Sequence, residues 1–319
     1  MKILILDSIT FGEDISLEKF KEFGEVAVYR QSSRKEAKER IAAENPDIII
    51  TNKVVLDEEV LSGAPAVRMI AETATGYNNI DLSYAKAHNI TVSNVAGYST
   101  QSVVQHTFAL CFYLLEQLSY YDGYVKSEEY VKCPSFTHFD RKFHELAGMT
   151  WGIIGLGAIG RGVADVAKAF GCRVIYYSAS GRTYDAPYER VEFDELLAQS
   201  DILSIHAPLN DKTEGLMDYE AFSKMKNSAV FINVGRGPIV KDEDLVMALK
   251  DGQIAAAGLD VLTKEPIEKD NPLNRIKDSG RLIITPHIAW ATVEARTRLM
   301  DEVYENVKSF LAGEKRNTV

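Results

Sequence analysis

Three side chains that could act together on a small acid lie in the second half of the chain: Arg236, Glu265 and His287. Each follows, by a few residues, a short apolar run that is typical of a buried β-strand. In an open α/β sheet, ligands bind beyond the carboxyl ends of the strands. We therefore predict that these three side chains line one crevice.

The three residue types suit hydride transfer between a nicotinamide and a 2-oxo acid. The planar fork of Arg236 would bind the carboxylate and carbonyl oxygens of the substrate. His287 would donate the proton to the oxygen that becomes an alcohol, because histidine titrates near neutral pH. Glu265 would hold the imidazole and favour its protonated form. Singly, each could be an ordinary surface or loop residue, but their joint placement favours a site.

A glycine-rich loop of the pattern G-x-G-x-x-G follows another apolar run and opens a helix-favouring segment. The first glycine permits a tight turn, the second lets the backbone approach a pyrophosphate, and the third allows close packing of helix and strand. The helix would present its first N–H groups to the phosphates. We predict a dinucleotide site, with a purely structural turn as the alternative. The loop consists of Gly155, Leu156, Gly157, Ala158, Ile159 and Gly160.

The choice of cofactor depends on the residue after the next strand, where a Rossmann site usually has an acid that binds ribose hydroxyls. Here that position is Ser178, which does not repel a 2′-phosphate. Arg182 is close enough in sequence to pair with such a phosphate. The pattern favours NADP(H), and NAD(H) would still bind if Arg182 were an ordinary loop residue.

The sequence gives weaker evidence of a functional role for the other candidate residues. Lys53 follows an apolar run and could face the substrate, although a solvated loop lysine is the alternative. His106 lies within an apolar helical pattern and is expected to be an interface or core histidine. The remaining histidines show no ligand spacing, and no metal site is predicted.

The elements that position these residues alternate between strand and helix patterns, which is typical of parallel sheets covered by helices. A first series of five strands is followed by an apolar helix at residues 99–121, buried in the core or against a second subunit. A second series of six strands and a final helix complete the chain. The predicted strands are residues 2–7, 26–29, 47–51, 67–72, 91–93, 151–154, 173–177, 202–205, 229–234, 255–259 and 282–285, and the predicted helices include 33–44, 57–61, 82–88 and 293–311.

Length and composition restrict the class of protein. The 319 residues suggest two domains. With 36 basic and 46 acidic residues, the net charge is −10, which argues against a nucleic-acid partner. No apolar stretch is long enough to span a membrane, and the first residues do not read as a signal peptide. The three cysteines form no C-x-x-C pair. We expect a cytoplasmic protein.

Several stretches together resemble the D-isomer-specific 2-hydroxyacid dehydrogenases over nearly the whole chain. These are the glycine loop, A-T-G-Y-N-N-I-D at 74–81, N-V-G-R-G at 233–237, G-L-D-V at 258–261 and T-P-H-I-A-W at 285–290. The motifs at 74–81 and 285–290 look most like those of the glycerate dehydrogenase/hydroxypyruvate reductase branch. The resemblance implies a dehydrogenase that reduces hydroxypyruvate or glyoxylate, or oxidises D-glycerate, with Arg236, Glu265 and His287 as its catalytic residues.

The resemblance also implies roles that spacing alone does not give. The backbone N–H groups of Thr75 and Gly76 would hold the substrate carboxylate. Asp260 would bind the nicotinamide carboxamide, His206 and Pro208 would lie beside the adenosine, and Val234 would contact the cofactor. The family differs at one position, since many members have Asp where this chain has Ser178.

The predicted fold is α/β, with two doubly wound parallel-sheet domains. The resemblance implies that residues 1–98 and 291–319 form a flavodoxin-like substrate domain, and that residues 99–290 form a Rossmann cofactor domain that carries the interface of a homodimer. Two alternatives stay open. One is a reductase of another 2-oxo acid, of the D-lactate or branched-chain type. The other is a corepressor-like protein that binds the dinucleotide without catalysis, which the acidic composition disfavours.

Overall fold

A computed structural model describes residues 1–183 and 187–319, and divides the chain into two compact units. The first unit comprises Met1–Ser99 and Ala291–Val319, and the second comprises Thr100–Trp290. The predicted division placed the first boundary one residue earlier. The predicted fold class is confirmed, because both units are parallel sheets with helices.

The first unit contains a five-stranded sheet in the order β2-β1-β3-β4-β5, with every pair parallel. This is the flavodoxin-like order that was predicted. Its strands are β1 (Lys2–Ile5), β2 (Glu25–Val28), β3 (Ile48–Thr51), β4 (Met69–Glu72) and β5 (Thr91–Ser93), and its first helices are α1 (Arg34–Glu44), α2 (Glu58–Leu61) and α3 (Leu82–Ala87).

Local sequence determines where α1 begins and ends. The Ser33 hydroxyl accepts a hydrogen bond from the Glu36 N–H, and the Glu36 carboxylate accepts one from the Ser33 N–H, which forms a capping box. Asn45 ends the helix in a left-handed conformation with φ 44°. The central strands β3 and β4 are buried along their whole length, as expected for a parallel sheet covered on both faces.

The second unit contains a seven-stranded parallel sheet in the order β12-β11-β10-β9-β6-β7-β8. The first strand of this unit is central, and the strand order reverses between β6 and β9, which is the Rossmann arrangement with one added strand. The strands are β6 (Thr150–Ile154), β7 (Arg173–Tyr177), β8 (Glu189–Arg190), β9 (Ile202–Ile205), β10 (Val230–Asn233), β11 (Ala256–Leu259) and β12 (Leu282–Ile284), and the helices are α4 (Thr100–Leu115), α5 (Leu118–Lys126), α6 (Ala158–Ala169), α7 (Phe193–Gln199), α8 (Tyr219–Ser223) and α9 (Asp242–Asp251).

The prediction of one helix over residues 99–121 is wrong, because α4 and α5 are separate helices. Gln117, between them, has a left-handed backbone with φ 54°, which interrupts the hydrogen-bond ladder of a helix. Its side chain compensates by donating to the Leu114 carbonyl at 2.8 Å. The apolar face of α4 packs in the core of its own unit, and it lies so close to α6 that a Cβ at Gly162 would be 2.7 Å from Val104.

The last helix, α10 (Val293–Leu311), belongs to the first unit and matches the predicted range. Thr292 caps it by accepting a hydrogen bond from the Ala295 N–H. The two-residue strand β8 escaped prediction because it is too short to show a period. No helix among the described residues is both long and apolar enough to cross a membrane.

Candidate active site

The predicted acid–base pair is formed in the second unit. The Nδ1 atom of His287 lies 2.7 Å from Oε2 of Glu265. The other carboxylate oxygen of Glu265 accepts a hydrogen bond from the Leu262 N–H at 2.9 Å. Both side chains keep about a third of their surface exposed, with 32% for His287 and 36% for Glu265. The glutamate is therefore fixed at both oxygens, and the imidazole remains accessible.

His287 itself has a left-handed backbone with φ 55°, which is uncommon for a residue other than glycine. Its N–H donates to the carbonyl oxygens of Asp260, at 2.8 Å, and Thr285, at 2.9 Å. The buried carboxylate of Asp260 accepts hydrogen bonds from the N–H groups of Ile288, at 2.9 Å, and Ala289, at 2.8 Å. Such a conformation persists only where its surroundings determine it. Residues 285–289 are referred to below as the His287 loop.

Asp260 has a further set of neighbours that sequence reasoning did not place at the site. The Thr285 hydroxyl donates to its Oδ1 at 2.6 Å. His106, on α4, has its Nε2 atom 2.9 Å from the Thr285 hydroxyl and 3.5 Å from Asp260 Oδ1. Burial lowers the pKa of His106, and the nearby Asp260 carboxylate opposes that shift. The expected core histidine therefore contacts Asp260 and the first residue of the His287 loop.

Arg236 lies in a turn after β10 that is shaped by Asn233. The fully buried Asn233 side chain accepts from the Gly235 N–H at 3.0 Å and donates to the Arg236 carbonyl at 3.0 Å. Gly237 allows close approach to the next loop, because a Cβ there would be 1.9 Å from the Leu262 carbonyl carbon. The turn with Arg236 thus packs against the loop that leads to Glu265.

The Arg236 side chain is exposed and donates from Nη1 to the carbonyl of Gly235 at 2.9 Å. Arg236, Glu265 and His287 follow three neighbouring strands of the sheet, β10, β11 and β12. The three side chains therefore originate from the same edge of the sheet, in the second unit. This arrangement offers an exposed cation and a proton donor for an acidic substrate.

The glycine loop has the shape that a pyrophosphate requires. Gly155 has φ 93°, and a Cβ there would be 2.7 Å from the Ala207 N atom. A Cβ on Gly160 would be 2.2 Å from the Gly155 carbonyl oxygen, so only glycine allows this approach of helix to strand. Around Gly157, by contrast, a Cβ would meet open space. Gly157 is the N-cap of α6, whose first N–H groups have no acceptor within the helix.

Other predicted cofactor residues lie at the start of α6 and after the strands β7 and β10. Ala158 is exposed and Ile159 half-buried at the start of α6, and Val234 is buried directly after β10. Ser178 is buried after β7, and its hydroxyl lies 3.2 Å from that of Ser180. Arg182 follows on the exposed part of this turn.

His206 and Pro208 flank Ala207, the residue that packs on Gly155. The Trp151 indole N–H donates to the Ser204 hydroxyl at 2.9 Å, and that hydroxyl lies 2.9 Å from His206 Nε2. Burial lowers the pKa of His206 to about 3, so its imidazole is neutral. It is held by Ser204 on one side, and its Nδ1 has no partner among the described residues.

The predicted substrate residues of the first unit lie at the carboxyl ends of its strands. Lys53 is exposed after β3, and its backbone N–H donates to Asp7 at 2.7 Å. Thr75 is exposed and Gly76 half-buried in the loop after β4. The Thr75 hydroxyl donates to the Val95 carbonyl at 2.9 Å, which anchors this loop.

Comparison with known proteins identifies the family. Residues 108–289 match the family described as D-isomer specific 2-hydroxyacid dehydrogenase, NAD binding domain. The chain belongs to the D-isomer specific 2-hydroxyacid dehydrogenase family. It is a nicotinamide-dependent oxidoreductase that acts on the CH–OH group of 2-hydroxy acids, and the resemblance stated from the sequence is confirmed.

Individual relatives of this dehydrogenase cover most or all of its length. It is 38% identical to the hydroxypyruvate reductase of Blautia hydrogenotrophica, over 100% of this chain and 99% of that protein. It is 37% identical to the glycerate dehydrogenase of Methylorubrum extorquens, over 86% of this chain and 85% of that protein. Among solved structures, an acyclic imino acid reductase in complex with NADPH and D-Arg aligns over 100% of both chains, with TM-score 0.85 and 32% identity.

Proposed function

We propose that this dehydrogenase reduces hydroxypyruvate or glyoxylate, and oxidises D-glycerate in the reverse direction. The relatives named hydroxypyruvate reductase and glycerate dehydrogenase support this substrate class. Hydroxypyruvate and glyoxylate are both small 2-oxo acids. Their recognition requires a cation for the carboxylate and a proton donor for the ketone or aldehyde oxygen. Arg236 and His287 supply these two groups.

The observation that carries the proposal is the contact between His287 and Glu265. Because the carboxylate accepts at Nδ1, the imidazole presents Nε2 away from Glu265. In the protonated imidazole, the N–H at Nε2 is the one available to the substrate oxygen. The hydrogen bond to Glu265 thus fixes the direction in which Nε2 points. In the reverse direction, the same nitrogen accepts the proton of the alcohol.

The nicotinamide cofactor supplies the hydride when bound. The glycine loop and the start of α6 would hold its pyrophosphate, through Gly155, Gly157, Ala158, Ile159 and Gly160. We assign Val234, Asp260, His206 and Pro208 to the remainder of the cofactor site, as the family resemblance implies. For Asp260 this role accompanies the hydrogen bonds that it already accepts from the His287 loop.

NADP(H) is the proposed cofactor, with NAD(H) as the alternative. A buried serine at position 178 leaves no carboxylate to repel a 2′-phosphate, and the neighbouring Arg182 offers a positive charge. The solved imino acid reductase in complex with NADPH supports the proposal that this fold accepts the phosphorylated cofactor.

In the first unit, we assign substrate binding to the backbone of Thr75 and Gly76 and to Lys53. All three lie in loops that follow parallel strands, which is where doubly wound sheets bind ligands. Lys53 would add a second positive charge for an acidic substrate.

A homodimer is also proposed. Residues 118–143 expose several large apolar side chains, among them Phe136 at 90% and Phe139 at 72%. Exposed apolar groups on this scale are typical of an interaction surface, and a second copy of the chain is the proposed partner. Light scattering of the Phe136→Asp, Phe139→Asp double variant should then show a monomer. The cytoplasmic location stays a prediction.

The test of function removes the proposed carboxylate-binding cation. We expect Arg236→Ala to lower kcat/KM for hydroxypyruvate on the order of 100-fold, because a charge-assisted hydrogen-bond pair is lost. Cofactor affinity, measured by fluorescence titration, should stay the same, because the phosphates bind at the glycine loop. The matched control is Arg275→Ala, which removes an exposed arginine paired with Glu243. Near-normal turnover in Arg236→Ala would remove this residue from the site.

A panel of 2-oxo acids separates the remaining alternatives. Loss of NADPH or NADH absorbance with hydroxypyruvate or glyoxylate supports the proposal, and a clear preference for pyruvate or a branched-chain 2-oxo acid overturns the substrate class. Absence of turnover with the whole panel, together with tight cofactor binding, would favour the corepressor-like alternative.

A further inference from the structure

Helix α4 contacts both ends of the His287 loop. The Ser102 hydroxyl donates to the Ala289 carbonyl at 2.5 Å, and both groups are buried. One turn further along the helix, His106 Nε2 lies 2.9 Å from the Thr285 hydroxyl. Residues four apart lie on the same face of a helix, so a single face of α4 reaches the first and the last residue of the loop.

The protons of this network can be assigned from its acceptors. The Thr285 hydroxyl has one proton and lies 2.6 Å from Asp260 Oδ1, which can only accept while it is ionised. The hydroxyl oxygen must therefore accept from His106, whose Nε2 carries a hydrogen. His106 thus donates into the network, and Asp260 receives hydrogen bonds from the Thr285 hydroxyl and from two N–H groups of the loop.

These contacts surround a conformation that would not persist alone. His287 has φ 55°, and a residue other than glycine rarely adopts this value unless its surroundings stabilise it. If the loop relaxed toward an ordinary backbone conformation, the imidazole would turn away from Glu265. The two donors on α4, the Ser102 hydroxyl and His106 Nε2, lie outside the loop and oppose such a change.

We propose that Ser102 and His106 are positioning residues, which fix the His287 loop so that His287 stays hydrogen-bonded to Glu265. The proposal rests on the proposed function of His287 as the proton donor. Ser102 acts through the backbone of the loop, and His106 acts through the Thr285 side chain. Sequence reasoning assigned His106 to the core or an interface and did not consider Ser102.

The first test measures the loop without catalysis. In His106→Leu, amide hydrogen exchange of a peptide that covers residues 285–290 should speed up by at least about tenfold, because the Asp260 hydrogen bonds open more often. His106→Gln should restore most of the protection, since the glutamine amide can donate from the position of Nε2. Gln105→Leu, an exposed neighbour on the same helix, is the control and should exchange like the parent. Equal exchange in His106→Leu and the parent would overturn the proposal.

The second test asks whether the effect passes through His287. We expect His106→Leu and Ser102→Ala to lower kcat about tenfold or more, with cofactor affinity and KM nearly unchanged. Added to His287→Asn, His106→Leu should cause no further loss, because residues that act through one group are not additive. A full additional loss in that background would overturn the positioning role. If His287→Asn alone kept normal turnover, the proposed function would fail instead, and the exchange result would still decide whether α4 orders the loop.

Discussion

Each unit buries a carboxylate near the carboxyl end of its parallel sheet, and the two have opposite surroundings. Asp260, after β11, accepts hydrogen bonds at both oxygens from three donors of the His287 loop. Glu72, the last residue of β4, is fully buried and accepts from the Asn79 amide at 3.1 Å through Oε2. Its Oε1 has no hydrogen-bond partner in the described part of the chain.

The difference shows two ways of burying an acid. Burial raises the pKa of Glu72 to about 9; the Asn79 hydrogen bond and the nearby Lys53 oppose this shift, and Asp7 adds to it. Glu72 therefore keeps its proton at neutral pH and avoids a buried charge. Asp260 instead has donors for both oxygens, and the same hydrogen bonds order a loop. A satisfied buried acid organises its surroundings, whereas an unsatisfied one reduces stability.

The largest expected effect tests whether the loop ordered by Asp260 does the chemistry. His287→Asn should lower kcat by roughly 10³-fold, because the proton donor is lost, while cofactor affinity stays the same. Steady-state kinetics and fluorescence titration measure the two quantities. His88→Asn, an exposed histidine of the first unit, is the control. Turnover above about a tenth of the parent's would place the proton transfer elsewhere.

The next largest effect is expected when the hydrogen bonds that Asp260 accepts are disrupted. Asp260→Asn places an NH₂ group against donors, so at least one loop N–H or the Thr285 hydroxyl loses its acceptor. We expect a loss of about 1–3 kcal/mol in the free energy of unfolding, together with reduced turnover. Urea denaturation and kcat check this, with the exposed Asp270→Asn as control. Unchanged stability would show that the hydrogen bonds to Asp260 contribute little.

The opposite outcome is expected for the unsatisfied acid. In the unfolded chain Glu72 titrates near the ordinary value of about 4.3, whereas in the folded chain its pKa is raised to about 9. Between these pH values the folded state binds more protons, so stability falls as the pH rises. Glu72→Gln removes this dependence and should raise the free energy of unfolding at pH 8 by on the order of 1–3 kcal/mol.

Thermal melts from pH 5 to pH 9 test this expectation for Glu72→Gln. The gain over the parent should shrink toward pH 5, because keeping the acid protonated in the folded state costs less free energy as the pH approaches the unfolded-state pKa of about 4.3. Glu39→Gln changes an exposed glutamate of α1 and serves as the control. A variant that is less stable than the parent at every pH would mean that Oε1 of Glu72 is satisfied in solution.

The smallest effect introduces a further buried acid. Ser178→Asp should shift the ratio of kcat/KM for NADPH over NADH toward NADH by about tenfold, since a carboxylate repels the 2′-phosphate. Arg182→Ala should weaken NADPH and spare NADH, because one charge-assisted contact is worth about 1.5–3 kcal/mol. Both ratios are measured against the parent. A parent that strongly prefers NADH, with an unchanged ratio in Arg182→Ala, would contradict the NADP(H) proposal.

Sequence patterns were sufficient where the signal is local. Strand runs of β-branched residues, the glycine loop and helix α1 each depend on neighbours within a few residues, and they were predicted close to their observed bounds. The contact of His106 with Thr285 joins residues 179 apart in the chain, and no local pattern encodes it. The break at Gln117 was missed for a related reason, since apolar periodicity continues through it.

Glu72 in the first unit shows the same limit of prediction from local sequence. Glu72 stands at the end of an apolar run, where a charged residue usually marks the point at which a strand reaches solvent. Only the structure shows that it is covered on all sides. The sequence predicted the candidates Arg236, Glu265 and His287, because the strand ends of a parallel sheet share one edge. The contact of Glu265 with His287 was also predicted, but the hydrogen bonds of Asn233, Leu262 and Asp260 that orient these residues were not.

The return of α10 to the first unit has a consequence for synthesis on the ribosome. The buried face of α10 packs on β4, and its Asn306 amide donates to the Asn94 carbonyl at 3.1 Å. The nascent chain must therefore carry an uncovered apolar sheet while the whole second unit emerges, and such surfaces are where chaperones bind. The unit that is translated first is the one whose core is completed last.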